Sequence, residues 1–394
     1  MKSVYLDNQA TTPLDPKVLE AMLPYFTEHF GNSASSAHAW GRRASAAVET
    51  AREQVATLIG ADALSIIFTS GATESVNLAL KGLAEHAQRS GNQRRTFVSC
   101  KTEHPAVLDC LTWLTEQGFR VVILGVDRLG HVDLNELEQV LDEQTLCLSL
   151  MMANNEIGTV HHIQEASALA RKAGAFFHSD ATQAVGKLPV DVDELGIDLL
   201  SLSGHKFYGP KGAGALFRRR KKPRVRLLPS LHGGGHERGL RSGTLNVPLL
   251  VGLGQACDLA REQMPRDAVH ARDLSVRLTA ILDEHRITYQ LNGDTHARLP
   301  GNLNLRFPGH GAGALMKALP EIAMSAGSAC SSATPGPSPV LLAIGLDADA
   351  AAESLRLGVG RFTSVEDLEY AGRRLAQVIL NPQYNRAQAE SCQL

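Results

Sequence analysis

Residues 65–124 read SIIFTSGATESVNLALKGLAEHAQRSGNQRRTFVSCKTEHPAVLDCLTWLTEQGFRVVIL. Three short runs rich in β-branched and aromatic residues, Ser65–Thr69, Thr96–Ser99 and Phe119–Leu124, read as strands. Between them, Thr73–His86 and Ala106–Gln117 carry apolar residues at helical spacing. Downstream the rhythm repeats: helix Leu134–Asp142, strand Leu146–Met151, helix Ile163–Ala173, then strands Ala175–Ser179 and Asp198–Ser203. Alternation of this kind predicts an α/β domain, a largely parallel sheet covered by helices on both faces. In such sheets ligands collect at the carboxyl ends of the strands.

The last third changes character. Pro248–His285 reads as one long helix, followed by strand-like Gly301–Arg306, Ile322–Ser325 and Ser354–Val359 and a helix at Val365–Ile379. That pattern predicts a smaller α+β domain. A length of 394 residues also exceeds what one hydrophobic core usually serves, so two domains are expected. The pattern gives no reading for Pro308–Gly313.

Composition narrows the function classes. Hydrophobic residues make up 44% and charged residues 20%, the balance of a globular chain. A net charge of −2 argues against broad electrostatic capture of nucleic acid or anionic membrane. The dense basic run Arg218–Arg226 is read as a solvated strand end and turn. No apolar run reaches transmembrane length, and Met1–Asp7 lacks the pattern of a signal peptide. The six cysteines, 100, 110, 147, 257, 330 and 392, show no CxxC spacing. They read as reduced thiols of a cytoplasmic enzyme. The histidines lack the spacing of a metal site, so no metal is expected.

Several polar residues stand just past predicted strands. Lys206 follows the apolar strand Ile197–Leu202 in SGHKFYGPKG (203–212); it is either an ordinary surface lysine or one used in a Schiff base. Asp180 ends the run AFFHSD, where it either caps a helix at Ala181–Val185 or pairs with a buried cation such as a pyridinium nitrogen. Ser70–Glu74 is a small-residue turn opening a helix, a capping box or a phosphate cradle. His104, just past a strand, is a satisfied polar residue or a proton-moving group. Arg356 lies in the apolar stretch LRLGV (355–359) and wants a carboxylate, internal or from a ligand. Cys330 sits among small residues and prolines in SAGSACSSATPGP (325–337), a loop where a thiol is structural or a nucleophile.

Taken in order, these features resemble the cysteine desulfurases, pyridoxal 5′-phosphate (PLP) enzymes of aminotransferase class V. The resemblance runs from YLDNQATTP (5–13) to GRFT (360–363), through SGATES (70–75), KTEH (101–104), NNEIG (154–158), DATQAVGKLP (180–189), SGHKFYGPKG (203–212), HGGGHERGLRSGT (232–244) and GSAC (327–330). It is closest to the iron–sulfur-assembly and nitrogenase-associated branch. It implies PLP fold type I, with a large domain (14–260) around a mainly parallel seven-stranded sheet. Residues 1–13 with 261–394 would form a smaller α+β domain carrying the catalytic cysteine.

The resemblance also assigns roles. Lys206 would hold PLP and shuttle the substrate α-proton. Asp180 would pair the pyridine nitrogen, Gln183 would bond the phenolic oxygen, and His104 would stack on the ring. Ala72, Thr73, Ser203 and His205 would bind the phosphate, with Thr244 reaching the phosphate of the other subunit of a homodimer. Asn155 and Arg356 would hold the carboxylate of L-cysteine. Cys330 would take the sulfur as a persulfide, leaving L-alanine. A sulfur-acceptor protein, in iron–sulfur cluster assembly or thio-modification of nucleic acids, would follow. The rivals are a selenocysteine lyase on the same scaffold and a non-catalytic sulfur-carrier adaptor without cofactor.

Overall fold

A computed structural model describes residues 2–327 and 336–381. Its centre is a seven-stranded sheet in the order Ile66–Thr69, Gly214–Arg218, Leu199–Ser203, Phe176–Asp180, Thr145–Ser149, Thr96–Cys100, Arg120–Leu124. Every neighbouring pair is parallel except those made by Gly214–Arg218, which runs antiparallel to both of its neighbours. This is the expected α/β architecture, and its seventh strand is the antiparallel one that the sequence pattern passes over.

Two-residue periodicity sends alternate side chains to opposite faces. Ile66, Phe68, Leu148, Leu200, Leu202 and Phe217 enter one core, together with Val48 and Val55 from the Ala39–Leu58 helix. Ile67, Phe97, Cys147, Leu199 and Leu216 enter the opposite core with Leu80, Leu83, Leu111 and Leu114, from the Ala72–Arg89 and Pro105–Glu116 helices. The sheet is therefore buried on both faces. Its outer edge at Ile66–Thr69 is closed by side chains: the Phe68 N–H donates to Glu237 Oε2 (2.8 Å), and Ile66 O accepts from Arg52 Nη1 (3.0 Å). An edge so occupied cannot template pairing with another chain.

A separate core contains Leu6, Leu303, Leu305, Phe307, Leu355 and Leu357. It lies against a three-stranded antiparallel sheet, Ser354–Gly358, Asn302–Arg306 and Gln290–Leu291. One continuous helix, Val247–Glu284, serves both regions. Val247, Leu250, Leu253 and Cys257 pack into the first core, whereas Leu274, Leu278 and Leu282 pack into the last, with Pro265 between. At the other terminus, Val4–Tyr5 pairs in parallel with Ile322–Ala323. The chain then runs beside Gly358, through Asn8 N–H to Gly358 O (3.2 Å), and on to the lysine turn, through Thr12 N–H to His205 O (2.9 Å).

Two local expectations change, and a segment without a reading is now placed. Ala181–Val185 is a series of turns rather than a helix, because Ala181 follows the sheet directly and glycine 186 holds a φ of +78°. The strand expected at Ile322–Ser325 is only Ile322–Ala323. Pro308–Gly313 contains a turn, His310 N–H to Phe307 O, that leads into a short helix, Ala312–Ala318. Among the described residues no helix is long and apolar enough to cross a membrane.

Candidate active site

The carboxyl ends of the parallel strands converge on a cavity of about 470 Å³. Ser70–Glu74 follow the edge strand, His104 follows Thr96–Cys100, and Met151, Ala153 and Asn155 follow Thr145–Ser149. Asp180 and Gln183 come from the end of Phe176–Asp180, and Ser203, His205 and Lys206 from Leu199–Ser203. Gln9–Thr11 and Arg356 complete the wall from the other region. Five separate strand ends thus bring together residues that are far apart in sequence, as the switch-point rule for such sheets predicts.

Lys206 closes a short 3₁₀ turn, Gly204–Lys206, and its Nζ donates to the carbonyls of Gln9 (2.8 Å) and Ala10 (2.6 Å). It is a cavity lysine, not a surface one. Asp180 is buried, and one carboxylate oxygen accepts from the Thr182 N–H (2.9 Å). Beside it, the buried Glu103 is pushed well above the usual carboxyl range, first by burial and then by the Asp180 charge. Its Oε1 accepts the Met151 N–H.

His104 has the first of the roles its sequence left open, a satisfied polar residue, and it also lines the cavity. Its Nδ1 accepts from the Ala106 N–H (3.1 Å), capping the Pro105–Glu116 helix, so the neutral ring carries its proton on Nε2. Burial is the main cause lowering its pKa; the nearby Lys206 adds to this, and the Asp180 charge opposes it. Two residues before Asp180, His178 is buried between Ser149 Oγ (2.8 Å) and Ser201 Oγ (3.0 Å), and burial lowers its pKa to about 4.

The Ser70–Glu74 part of the cavity wall has features that suit an anion. The Ala72–Arg89 helix begins there, with Gly71 at its cap in the positive-φ region at +155°. Side chains larger than hydrogen are excluded beneath it: a Cβ on Gly214 would lie 2.6 Å from the Gly71 Cα. Free N–H groups at a helix start, with the helix dipole, favour phosphate. Ser203 and His205 stand beside this turn on the cavity wall. His205 is lowered to about 4 by burial and by Lys206, Lys211 and Lys187, so its imidazole is neutral and keeps one N–H to donate.

Arg356 is almost fully buried, has an internal carboxylate partner in Asp7, and also lines the cavity. Nη2 pairs with Asp7 Oδ1 (2.7 Å) and Ser325 Oγ (3.2 Å), and Nη1 donates to Asn155 O (3.1 Å). Three buried atoms of cavity residues have no hydrogen-bond partner among the described residues: Gln9 Oε1, Thr182 Oγ1 and Arg356 Nε. Thr244 is exposed and does not line this chain's own cavity. Cys330 lies outside the described residues. Cys100, Cys110, Cys147 and Cys257 are buried free thiols. Burial pushes Cys100 to about 12 and Cys110 to about 11, and the other two upward as well.

The chain matches the aminotransferase class-V family over residues 4–370. It is 50% identical over 376 residues to a protein of Anaeromyxobacter dehalogenans named cysteine desulfurase IscS, covering 95% of this chain and 92% of that one. The chain belongs to the cysteine desulfurases of aminotransferase class V. Among solved structures of this kind, a NifS-like protein superposes with a TM-score of 0.88 at 36% identity, covering 96% of this chain and 99% of the other. SspA in complex with cysteine superposes at 0.81 with 35% identity, covering 92% and 100%. Cysteine desulfurases are PLP-dependent, and their fold is the PLP type I fold found here. The donor set fits such a group: a helix-start turn suited to phosphate, a carboxylate, a flat imidazole and a lysine line one cavity. Three residues in or behind the cavity wall carry no signal in the strand-and-turn pattern: Lys211 lines it, and Asp7 and Lys187 bond to the lining residues Arg356 and Gln183. Asp7 meets Arg356 from far along the chain and Lys187 meets Gln183 from one turn away, contacts that only the folded packing sets.

Proposed function

We propose that the protein converts L-cysteine to L-alanine with PLP and passes the sulfur, through a persulfide on Cys330, to an acceptor protein. The observation that carries this reading is the convergence of Lys206, Asp180, His104, the Ser70–Thr73 turn and Arg356 on one cavity.

Lys206 Nζ would hold the cofactor aldehyde. Asp180 would oppose the pyridine nitrogen, His104 would present its ring face, and Gln183 would donate to the ring oxygen. The N–H groups of Ala72 and Thr73, with Ser203 and His205, would hold the phosphate. When bound, the cofactor supplies a sink for the electron pair left behind by the α-proton. Arg356, with Asn155, would hold the substrate carboxylate, its unpartnered Nε being the donor left over. Lys206 Nζ, released from its covalent task, would take the α-proton and return it.

The thiolate is the nucleophile in sulfur chemistry. Four of the six thiols are buried and shifted away from that state, which leaves Cys330 and Cys392, and the GSAC motif (327–330) favours Cys330. Its sulfur would bond to the substrate sulfur as the Cβ–S bond breaks. That bond's electron pair would stay with the three-carbon fragment, which leaves as L-alanine after protonation. The four free thiols also support a reducing, cytoplasmic setting.

A homodimer completes the reading. Leu19, Leu23, Phe26, Phe30 and Trp40 are large apolar side chains exposed within one short stretch, a concentration that favours burial against a second copy. Thr244, exposed in the same chain, would serve the partner's phosphate site. The acceptor would be an iron–sulfur scaffold or a nucleic-acid thiolation enzyme. The test is a visible absorption spectrum with an alanine assay. Purified protein should carry a cofactor band and form alanine from L-cysteine, and Lys206→Ala should lose both; a colourless active protein would overturn the proposal.

A further inference from the structure

Gln183 reaches the cavity wall, and its amide is gripped from two sides. Nε2 donates to the Gln9 carbonyl (2.9 Å), and Oε1 accepts from Lys187 Nζ (2.9 Å). Lys187 does not line the main cavity. It lies behind Gln183 on a small void of about 30 Å³ shared with Asn8, Thr12 and Tyr208.

The two partners dictate which way the amide faces. A carbonyl oxygen can only accept, and an ammonium can only donate. Rotating the amide by half a turn would set Oε1 against the Gln9 carbonyl and the NH₂ group against the lysine. Both hydrogen bonds would be lost and replaced by like-pole contacts. With Oε1 taken by Lys187 and one Nε2 hydrogen taken by Gln9, the second Nε2 hydrogen is left for the cavity. The Gln9 carbonyl also receives Lys206 Nζ (2.8 Å), so one backbone oxygen sets the amide and the reactive lysine together.

We infer that Lys187 is a positioning residue that locks the Gln183 amide with its N–H toward the cavity, so that Gln183 is a fixed donor to the ring oxygen of the bound cofactor. The inference rests on the cofactor reading above and deepens it. Lys187 acts through Gln183 and touches neither substrate nor cofactor. Its pKa is lowered to about 7, first by burial and then by the Lys206 and Arg356 charges. Asp267 and Arg361 line the same small void. Lys187 is consequently charged, and the lock tightest, on the acid side of neutrality.

The test is a double-mutant cycle on the holoenzyme, read as the pH midpoint of the cofactor's visible band. A lost donor leaves negative charge on the ring oxygen less stabilised, so the proton shared between that oxygen and the Lys206 nitrogen is held more tightly. Lys187→Met should raise the midpoint by about half a pH unit or more. Gln183→Ala should raise it at least as far, and adding Lys187→Met to Gln183→Ala should move it no further. Lys187→Gln, which keeps a donor, should restore most of the wild-type midpoint. Additive shifts would overturn the inference, because they would mean that the lysine acts by its own charge. An unchanged midpoint in Lys187→Met would overturn it as well. A wild-type protein with no cofactor band would instead overturn the functional reading on which it stands.

Discussion

The ion pair at the sheet edge yields a quantitative prediction. Arg52 and Glu237 form a two-pronged bridge, 2.7 and 2.8 Å, with side chains only 3% and 1% exposed. Glu237 also accepts the Phe68 N–H. Breaking a buried pair from one side costs about 3–5 kcal/mol, because the other charge is left unpaired. Two features pull Glu237→Gln toward the low end. Glu49 lies 3.2 Å from Arg52 and is 56% exposed, so it offers partial, screened compensation. Glu237 and Arg238 also hold left-handed φ values of +48° and +58°, at roughly 1 kcal/mol each, and release of the clamp lets them relax. The expected loss is about 3 kcal/mol, read by urea denaturation with far-UV circular dichroism at one fixed protein concentration. Arg52→Met added to Glu237→Gln removes the stranded cation and should recover all but about 1 kcal/mol. A single-variant loss below about 1 kcal/mol, or a double variant as unstable as the two losses combined, would refute the reasoning.

Three further outcomes are expected. Arg356→Lys, which replaces a rigid fork by a point charge, should raise KM for L-cysteine about tenfold with the cofactor spectrum unchanged; an unmoved KM would place the substrate carboxylate elsewhere. Asp180→Asn should keep the cofactor bound but lower kcat about 100-fold or more, the scale of losing one aimed electrostatic group, and a kcat within a few-fold of wild type would exclude that role. His178 and His161 are buried, with pKa lowered to about 4 and about 3. The unfolded chain therefore binds their protons first as pH falls below about 6.5, and stability present above that pH is lost toward pH 4, at up to about 3 kcal/mol per pH unit for the two. Denaturation midpoints flat across that window would contradict the buried neutral assignment.

Most of the site was legible in the sequence because a parallel sheet gathers residues by rule. Lys206, Asp180, His104 and Ser70–Thr73 each stand just past an apolar run, and strand ends share one edge. What escaped reading did so for specific reasons. Gly214–Arg218 is a strand of GALFR between a glycine turn and a basic run, and nothing local marks it as the sheet's antiparallel member. The Ala39–Leu58 helix buries mainly small residues, Ala44, Ala51 and Ala56, with Val48 and Val55, so its apolar stripe is faint. Arg356 meets Asp7 across 349 residues, a contact no local pattern encodes. The basic run proved structural at its start: Arg219 pairs with Asp193 and Asp198, and Arg220 with Asp62.

The central claim is that sulfur leaves cysteine for one thiol of this chain while the carbon skeleton departs as alanine. Incubating the cofactor-loaded enzyme with L-cysteine under non-reducing conditions, then mapping the added sulfur by peptide mass spectrometry while counting alanine, tests it most directly. The account predicts one extra sulfur atom on the Cys330 peptide and alanine equal to the sulfur mobilised, with both absent in Lys206→Ala. Sulfur found on another cysteine, or pyruvate released in place of alanine, would contradict it.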